Sequence, residues 1–175
     1  ACLSLWGKVT HRDQTQEALL YGVTPNYFSI NRETLTQGRT FEPEDITLMR
    51  RVCLLPEWSI PSLYPHARSN PLGTQIQLLG EPFTVIGVLK QKDSSFLHQL
   101  GLLKQETSLL VYLPLPYLQR AYRTENLSFL QAETQTGKES STQYQAIEWL
   151  KKRRGQEVDF KSESLAQYLT LSNKI

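Results

Sequence analysis

The stretch PLGTQIQLLGEPFTVIGVLK, residues 71–90, decides the fold class of this chain. Two segments in it, Thr74–Leu79 and Pro82–Leu89, are rich in the β-branched and aromatic residues that favour strands. The dipeptide Gly80-Glu81 between them is a turn signal. The second segment alternates two sets of residues that are largely apolar, namely Phe83, Val85 and Gly87 on one side and Thr84, Ile86 and Val88 on the other. The sequence therefore predicts a β-hairpin whose second strand is buried on both faces.

Strand and helix signals follow one another without a regular strand–helix–strand repeat, which favours an α+β fold. The other predicted strands are Leu3–Val9, Ala18–Val23, Arg50–Leu55, Ser108–Leu113 and a half-exposed Leu127–Glu133. The predicted helices are Glu57–Tyr64, a helix from about Pro114 to Arg123 with Pro116 in its first turn, and a helix that follows the polar linker Thr134–Thr142 and runs through Arg154. A domain rarely begins on a strand, so we expect an excised fragment that is truncated at its N-terminus.

Composition excludes several classes of protein. The 175 residues include 19 basic and 17 acidic side chains, and a net charge of +2 is too mild to indicate nucleic-acid binding. No apolar run approaches the roughly 18–20 residues that span a bilayer. One basic cluster, Lys151–Arg154, ends a predicted helix just before Gly155, where cations complement the helix dipole. The alternative is a patch that faces a partner or a lipid surface.

Catalytic and metal-binding motifs are missing from the sequence. It contains no GxSxG, P-loop, GxGxxG or HExxH pattern. The histidines, His11, His66 and His98, lack the spacing of metal ligands. Cys2 and Cys53 are compatible with buried thiols or with a disulfide between them. We therefore expect no enzyme and no metal site.

A long connection after the hairpin is the candidate recognition element. Lys92–Glu106 contains polar residues together with five large apolar residues. These candidate partner-contact residues are Phe96, Leu97, Leu100, Leu102 and Leu103. Connections of this length are usually functional. The alternative is a short amphipathic helix docked on the core.

Four short motifs in a fixed order resemble one known family. They are Tyr21–Phe28 (YGVTPNYF), Gln37–Phe41 (QGRTF) with Glu44-Asp45, Pro71–Ile76 (PLGTQI) and Pro82–Leu89 (PFTVIGVL). Together they resemble the MacB-like periplasmic core domain of ABC transporter permeases with an FtsX-type membrane region. Val111–Pro114 and Gln145–Arg154 also fit that family. The resemblance covers roughly residues 18–171.

The resemblance implies a mechanical and recognition role. Such a domain belongs to a cytoplasmic (inner) membrane permease and lies on its extracytoplasmic, periplasmic side. It docks a periplasmic adaptor (membrane fusion) protein and relays movement driven by an ABC ATPase subunit or domain, with ATP bound there and no cofactor in the domain itself. The intact permease is expected to be a homodimer. Alternatives are a lipoprotein-releasing permease that hands cargo to a carrier, or a free-standing periplasmic enzyme.

The resemblance also implies two lobes within a single domain, residues 1–175. One lobe is β-rich and covers about residues 18–110, and the other is α/β and covers residues 111–175 with 1–17. Several signature residues suit turns or close packing, namely Gly22, Pro25, Gly38, Gly73 and Gly87. Arg39 is expected to pair with Glu44 or Asp45 and hold the acidic loop.

Overall fold

The protein forms a mixed α/β structure with one large sheet, which confirms the predicted α+β class. The computed structural model describes residues 1–12, 14–65, 70–90, 109–135 and 137–154. The chain divides into two compact units, Ala1–Gln131 and Ala132–Ile175. The sheet and the short helices belong to the first unit, and the long helix among the described residues belongs to the second.

The described elements include each strand and helix predicted above except Leu127–Glu133, and they add one strand and two short helices that were not predicted. The strands are β1 (Cys2–His11), β2 (Gln14–Val23), β3 (Leu35–Gly38), β4 (Val52–Pro56), β5 (Gln75–Leu78), β6 (Glu81–Leu89) and β7 (Leu109–Pro114). The helices are α1 (Asn26–Ile30), α2 (Pro43–Thr47), α3 (Ile60–Leu63) after a 3₁₀ turn at Glu57–Ser59, α4 (Leu115–Ala121) and α5 (Glu139–Arg154). Among the described residues, no helix combines the length and the apolar character that crossing a bilayer requires.

The predicted hairpin is formed by β5 and β6, which pair antiparallel from Gln75↔Thr84 to Leu78↔Glu81. Its turn comes one residue earlier than predicted. Leu79 and Gly80 form the two-residue loop, and both have positive φ, at 55° and 81°. Positive φ at both loop positions is the geometry of a type I′ turn, whose twist matches that of the flanking strands. Leu79 therefore takes a left-handed conformation that its residue type does not predict.

The sheet closes on itself into a small barrel. Its strand order is β3-β6-β4-β7-β2-β1-β5, and β5 also pairs with β6. Every strand except β3 thus has neighbours on both sides, and β3 extends the sheet beside β6. Closure removes most free edges, which otherwise expose unpaired backbone groups.

Two apolar clusters lie on the two faces of the barrel wall. The inner cluster takes residues from all six ring strands, such as Leu20, Leu55 and Phe83. The outer cluster holds the alternate residues of β2 and β7, such as Tyr21 and Tyr112, beneath Tyr27 and Phe28 of α1 and Phe41. Because side chains alternate along a strand, one wall separates two cores.

The two cysteines are free and buried. Cys2 belongs to the outer cluster and Cys53 to the inner one. The barrel wall lies between the two thiols, so the structure has no disulfide joining them. Of the two alternatives that the sequence allowed, it contains the buried thiols.

The predicted half-exposed strand Leu127–Glu133 is wrong. In the structure only Phe129 makes a ladder contact, an isolated antiparallel bridge to Cys2. Beyond it, the side-chain amides of Gln131 and Asn31 form two hydrogen bonds with each other, at 2.9 and 3.1 Å. The alternation of residue types was present, but this segment pairs with the edge of β1 at a single residue.

The strand pairings divide the sheet into two groups of strands. β1 pairs with β2 along ten residue pairs, and β2 with β7 along six. The strands between residues 35 and 89 pair among themselves. The sheet's own grouping is therefore β1-β2-β7 on one side and β3-β4-β5-β6 on the other. The two lobes that the resemblance implies stay a prediction.

Candidate functional site

Candidate catalytic groups do not converge in the described part of the chain. No group of three or more His, Cys, Asp or Glu side chains there could hold a metal ion. His11 instead packs against the Tyr64 ring, with centroids 4.3 Å apart, and its Nδ1 lies 3.1 Å from the Gln75 carbonyl oxygen. His66 and His98 lie outside the described residues.

The acidic loop is organised around the buried Asp45. Its carboxylate accepts hydrogen bonds from Arg39 Nη2 at 3.2 Å and from the backbone N–H of Glu42 at 2.9 Å. Arg50 Nη1 adds a contact at 3.4 Å. Burial alone would raise the pKa of Asp45, but these hydrogen bonds and the charge of Arg39 outweigh it and lower that pKa below its ordinary value. Of the two partners predicted for Arg39, Asp45 is the one in contact, so this cluster fixes the loop before β4.

Helix α4 packs against the barrel through its buried side chains. Leu115 and Leu118 are buried in the inner cluster, and the Tyr117 ring meets Phe83 edge-on at 4.8 Å. Gly22 makes this approach possible, because a Cβ there would lie only 3.0 Å from Leu118 and 3.3 Å from the Leu115 Cα. The structure thus places the predicted Gly22 beneath a packed helix. Pro25 precedes α1 as its N-cap.

Two exposed segments meet where helix α4 ends, namely the turn after α2 and the residues at and just beyond the end of α4, and together we call them the α4 surface. It consists of Leu48, Met49, Arg120, Tyr122 and Arg123. Leu48 is 63% exposed, Met49 37% and Tyr122 39%. The Arg120 guanidinium joins the two segments by lying 3.8 Å from the Met49 sulfur. Tyrosine, methionine and arginine are among the residues enriched in protein interfaces.

Two further contacts shape the α4 surface. Tyr122 Oη donates a hydrogen bond to the Trp6 carbonyl oxygen at 3.0 Å, which fixes the end of the helix against β1. A shallow cavity of about 330 Å³ lies beside it, lined by Gln119, Arg120, Arg123, Thr124 and Glu125. Within the part of the chain that the structure describes, neither arginine forms an ion pair. The α4 surface therefore offers two unpaired cations next to exposed apolar side chains.

The predicted partner-contact residues Phe96, Leu97, Leu100, Leu102 and Leu103 lie outside the described residues, so their role stays a prediction. The α4 surface was not predicted from the sequence. Its members come from two segments about seventy positions apart, and the fold alone brings them together. The available signal was local. Leu48-Met49 and Tyr122 are large apolar residues that follow helix ends and fit no buried stripe.

Comparisons with known proteins agree on one family. The family model described as the MacB-like periplasmic core domain matches residues 3–148. The sequence is 34% identical over 90 residues to the macrolide export ATP-binding/permease protein MacB of Neisseria gonorrhoeae, which is 51% of this chain and 14% of that protein. It is 26% identical over 121 residues to the uncharacterized ABC transporter permease YknZ of Bacillus subtilis, which is 69% of this chain and 28% of that one. The aligned region is thus less than a third of either relative.

Solved structures show the same fold. The periplasmic region of MacB from Actinobacillus actinomycetemcomitans superposes with a TM-score of 0.73 at 22% identity, covering 99% of this chain and 75% of that one. The extracellular domain of the noncanonic ABC-type transporter YknZ from Gram-positive bacteria gives a TM-score of 0.70 at 22% identity, covering 89% and 74%. At this level of identity the likeness establishes the architecture.

Proposed function

The chain belongs to the MacB-like periplasmic core domain family, and from that membership we propose that it works as the extracytoplasmic domain of an ABC transporter permease. In this role it docks a periplasmic adaptor protein and relays ATP-driven conformational change during export. ATP binds at a separate or fused nucleotide-binding domain, so this domain needs no cofactor and has no catalytic role. The intact permease works as a homodimer.

The α4 surface carries the docking part of this proposal. Its exposed Leu48, Met49 and Tyr122 combine with Arg120 and Arg123, and binding energy at interfaces concentrates in such aromatic and arginine side chains. The two arginines have no ion-pair partner among the described residues, so they are available to carboxylates of an adaptor. A protein that docks here meets apolar side chains for affinity and charges for orientation.

The packing of α4 supports the relay part of the proposal. Leu118 is fully buried in the inner cluster, and the α4 backbone lies directly on Gly22 of β2. Tightly packed interiors transmit displacement because they deform little. A load applied to the α4 surface therefore passes to β2 and, through its six residue pairs, to β7.

The test is binding of a purified periplasmic adaptor protein to the domain. We expect Leu48→Asp and Tyr122→Ala each to raise the Kd about tenfold or more, because loss of a hot-spot residue costs about 2 kcal/mol or more and about 1.4 kcal/mol is a tenfold change. Titration of the domain with a labelled adaptor measures the Kd. Leu130→Asp is the matched control, since Leu130 is 51% exposed and lies outside the α4 surface.

Three outcomes would contradict the proposal at different points. Wild-type affinity in both α4 variants removes the α4 surface from the interface. A loss in Phe96→Asp and Leu102→Asp variants instead transfers docking to the connection predicted from the sequence. Absence of any adaptor binding by the wild-type domain contradicts docking itself.

A further inference from the structure

The last two turns of helix α5 bring an exposed tryptophan next to a dense group of cations. The helix spans Glu139–Arg154. Ser141, Gln145, Trp149 and Lys152 are all exposed, and their spacing of four, four and three residues places them along one side of the helix. Trp149 is 55% exposed. The aromatic ring and the Lys152 ammonium group therefore belong to the same side of the helix end.

The charge at this end exceeds what the helix dipole requires. Lys151 and Lys152 are followed in the sequence by Arg153 and Arg154, and Glu148 is the one acidic residue in the last two turns. A helix C-terminus carries roughly half a negative charge, which a single cation already complements. Lys151 and Lys152 alone already exceed that requirement, and Arg153 and Arg154 follow them in the sequence.

We infer that this end of α5 binds the headgroups of anionic phospholipids at the membrane surface. Tryptophan concentrates at the boundary between water and the acyl chains, and basic clusters bind anionic headgroups. Lysine and arginine keep their charged groups in water while their alkyl chains cover apolar surface. The tryptophan and the basic residues can therefore bind the same phospholipid surface. The contact is made by the helix end, since α5 has no continuous apolar face with which to lie flat in the membrane.

The inference rests on the proposed function only in placing the domain beside a membrane. It does not depend on the adaptor or on the α4 surface. Vesicle binding is measured without an adaptor, so the two proposals can fail separately.

The experiment is co-sedimentation of the chain with vesicles of phosphatidylcholine alone or mixed with phosphatidylglycerol. We expect binding only to the mixed vesicles, weakened at high salt. Lys151→Glu with Lys152→Glu lowers this binding about tenfold or more, because each cation near an anionic surface contributes to the affinity. Lys151→Arg with Lys152→Arg keeps it. Circular dichroism checks that the variants remain folded.

Matched controls separate the site from general charge and from tryptophan content. Arg32→Glu with Lys90→Glu makes the same charge change at exposed positions of the first unit and is expected to leave vesicle binding unchanged. Brominated lipids are expected to quench tryptophan fluorescence in wild type and in Trp6→Phe but much less in Trp149→Phe. Trp6 is 54% exposed, which makes it a close match for Trp149.

Three results would overturn the inference. The first is equal binding to both kinds of vesicle. The second is unchanged binding of the double glutamate variant. The third is binding of polyglutamate through Lys151 and Lys152 without any binding of vesicles, which identifies an acidic protein as the occupant.

Discussion

Asp45 shows how one buried charge fixes the conformation of a loop. The side chain is fully buried, yet two arginines and a backbone N–H reach its oxygens. Its carboxylate and that of Glu42 also form a reciprocal capping box at the start of α2. A buried carboxylate is tolerated when such partners replace the water it has lost. The sequence predicts that Arg39 meets an acidic residue here, but the choice between Glu44 and Asp45 depends on which one faces inward.

We expect Asp45→Asn to lower the free energy of unfolding at pH 7 by about 2 kcal/mol, because it leaves Arg39 without its charged partner. The folded-state pKa of Asp45 is lowered, so the stabilisation is complete above the unfolded pKa of about 4 and is lost as the pH falls through the folded value. The difference between wild type and variant should therefore shrink below about pH 4. Urea unfolding at neutral and acidic pH measures it.

Glu44→Gln is the control for this prediction. Glu44 lies in the same helix but is exposed, and we expect a change of about 0.5 kcal/mol or less. If Asp45→Asn and Glu44→Gln cost the same, or if the Asp45→Asn difference does not change with pH, the buried charge is not what stabilises the loop.

The contact between β3 and β6 depends on a glycine pair. Gly38 lies opposite Gly87 in the ladder, and its φ is +77°. A Cβ on Gly38 would lie 2.1 Å from the Ile86 carbonyl oxygen and 2.8 Å from the Gly87 Cα. Since both contacts are with backbone, no side chain can move aside. The two strands can come this close only without a side chain at position 38.

We expect Gly38→Ala to destabilise the protein by about 3 kcal/mol and Gly73→Ala by about 1 kcal/mol. Both glycines have nearly the same φ, +77° and +78°, so both substitutions carry the same left-handed strain. They differ because no described atom lies within 4 Å of a Cβ on Gly73. Thermal and urea unfolding of the two variants isolate the steric part. Equal losses would show that backbone strain alone explains both glycines.

The sequence predicts a strand correctly where residue alternation indicates it and where its pairing strand is the neighbouring segment of the chain. The β5–β6 hairpin has alternating apolar residues and a turn signal, and its partner is the neighbouring segment. The same alternation in Leu127–Glu133 fails, because that strand needs a distant partner and β1 offers it one bridge. The α4 surface could not be predicted for a related reason. Met49 and Arg120 become neighbours only after β4 and β7 have paired.

At the scale of the whole molecule, the barrel is closed by two short seams. β1 meets β5 through only two residue pairs, Val9↔Leu78 and Thr10↔Gln77. β4 meets β7 through one pair, Leu54↔Tyr112. The pairings inside each half are longer, with ten residue pairs between β1 and β2. Segments with few hydrogen bonds open at the lowest free energy, so the halves β1-β2-β7 and β3-β4-β5-β6 are expected to shift along these seams.

A disulfide across the β1–β5 seam tests whether the proposed relay uses this shift. Thr10 and Gln77 are directly opposite each other in the ladder, at a separation that suits a cross-strand disulfide. In the reconstituted permease we expect oxidised Thr10→Cys/Gln77→Cys to reduce adaptor-stimulated ATP hydrolysis several-fold, because the halves can no longer move apart. Reduction should restore the rate, and adaptor binding should be unchanged, since the α4 surface lies elsewhere.

The matched control is Lys8→Cys/Glu17→Cys, whose residues face each other across the long β1–β2 pairing. That disulfide joins two strands which already move together, so oxidation should leave ATP hydrolysis at the wild-type rate. The native Cys2 and Cys53 do not interfere, because burial raises the pKa of both thiols and disfavours the reactive thiolate. If both disulfides slow hydrolysis equally, the effect is general stiffening of the barrel. If neither does, movement passes through the barrel as a rigid body and the seams take no part in the relay.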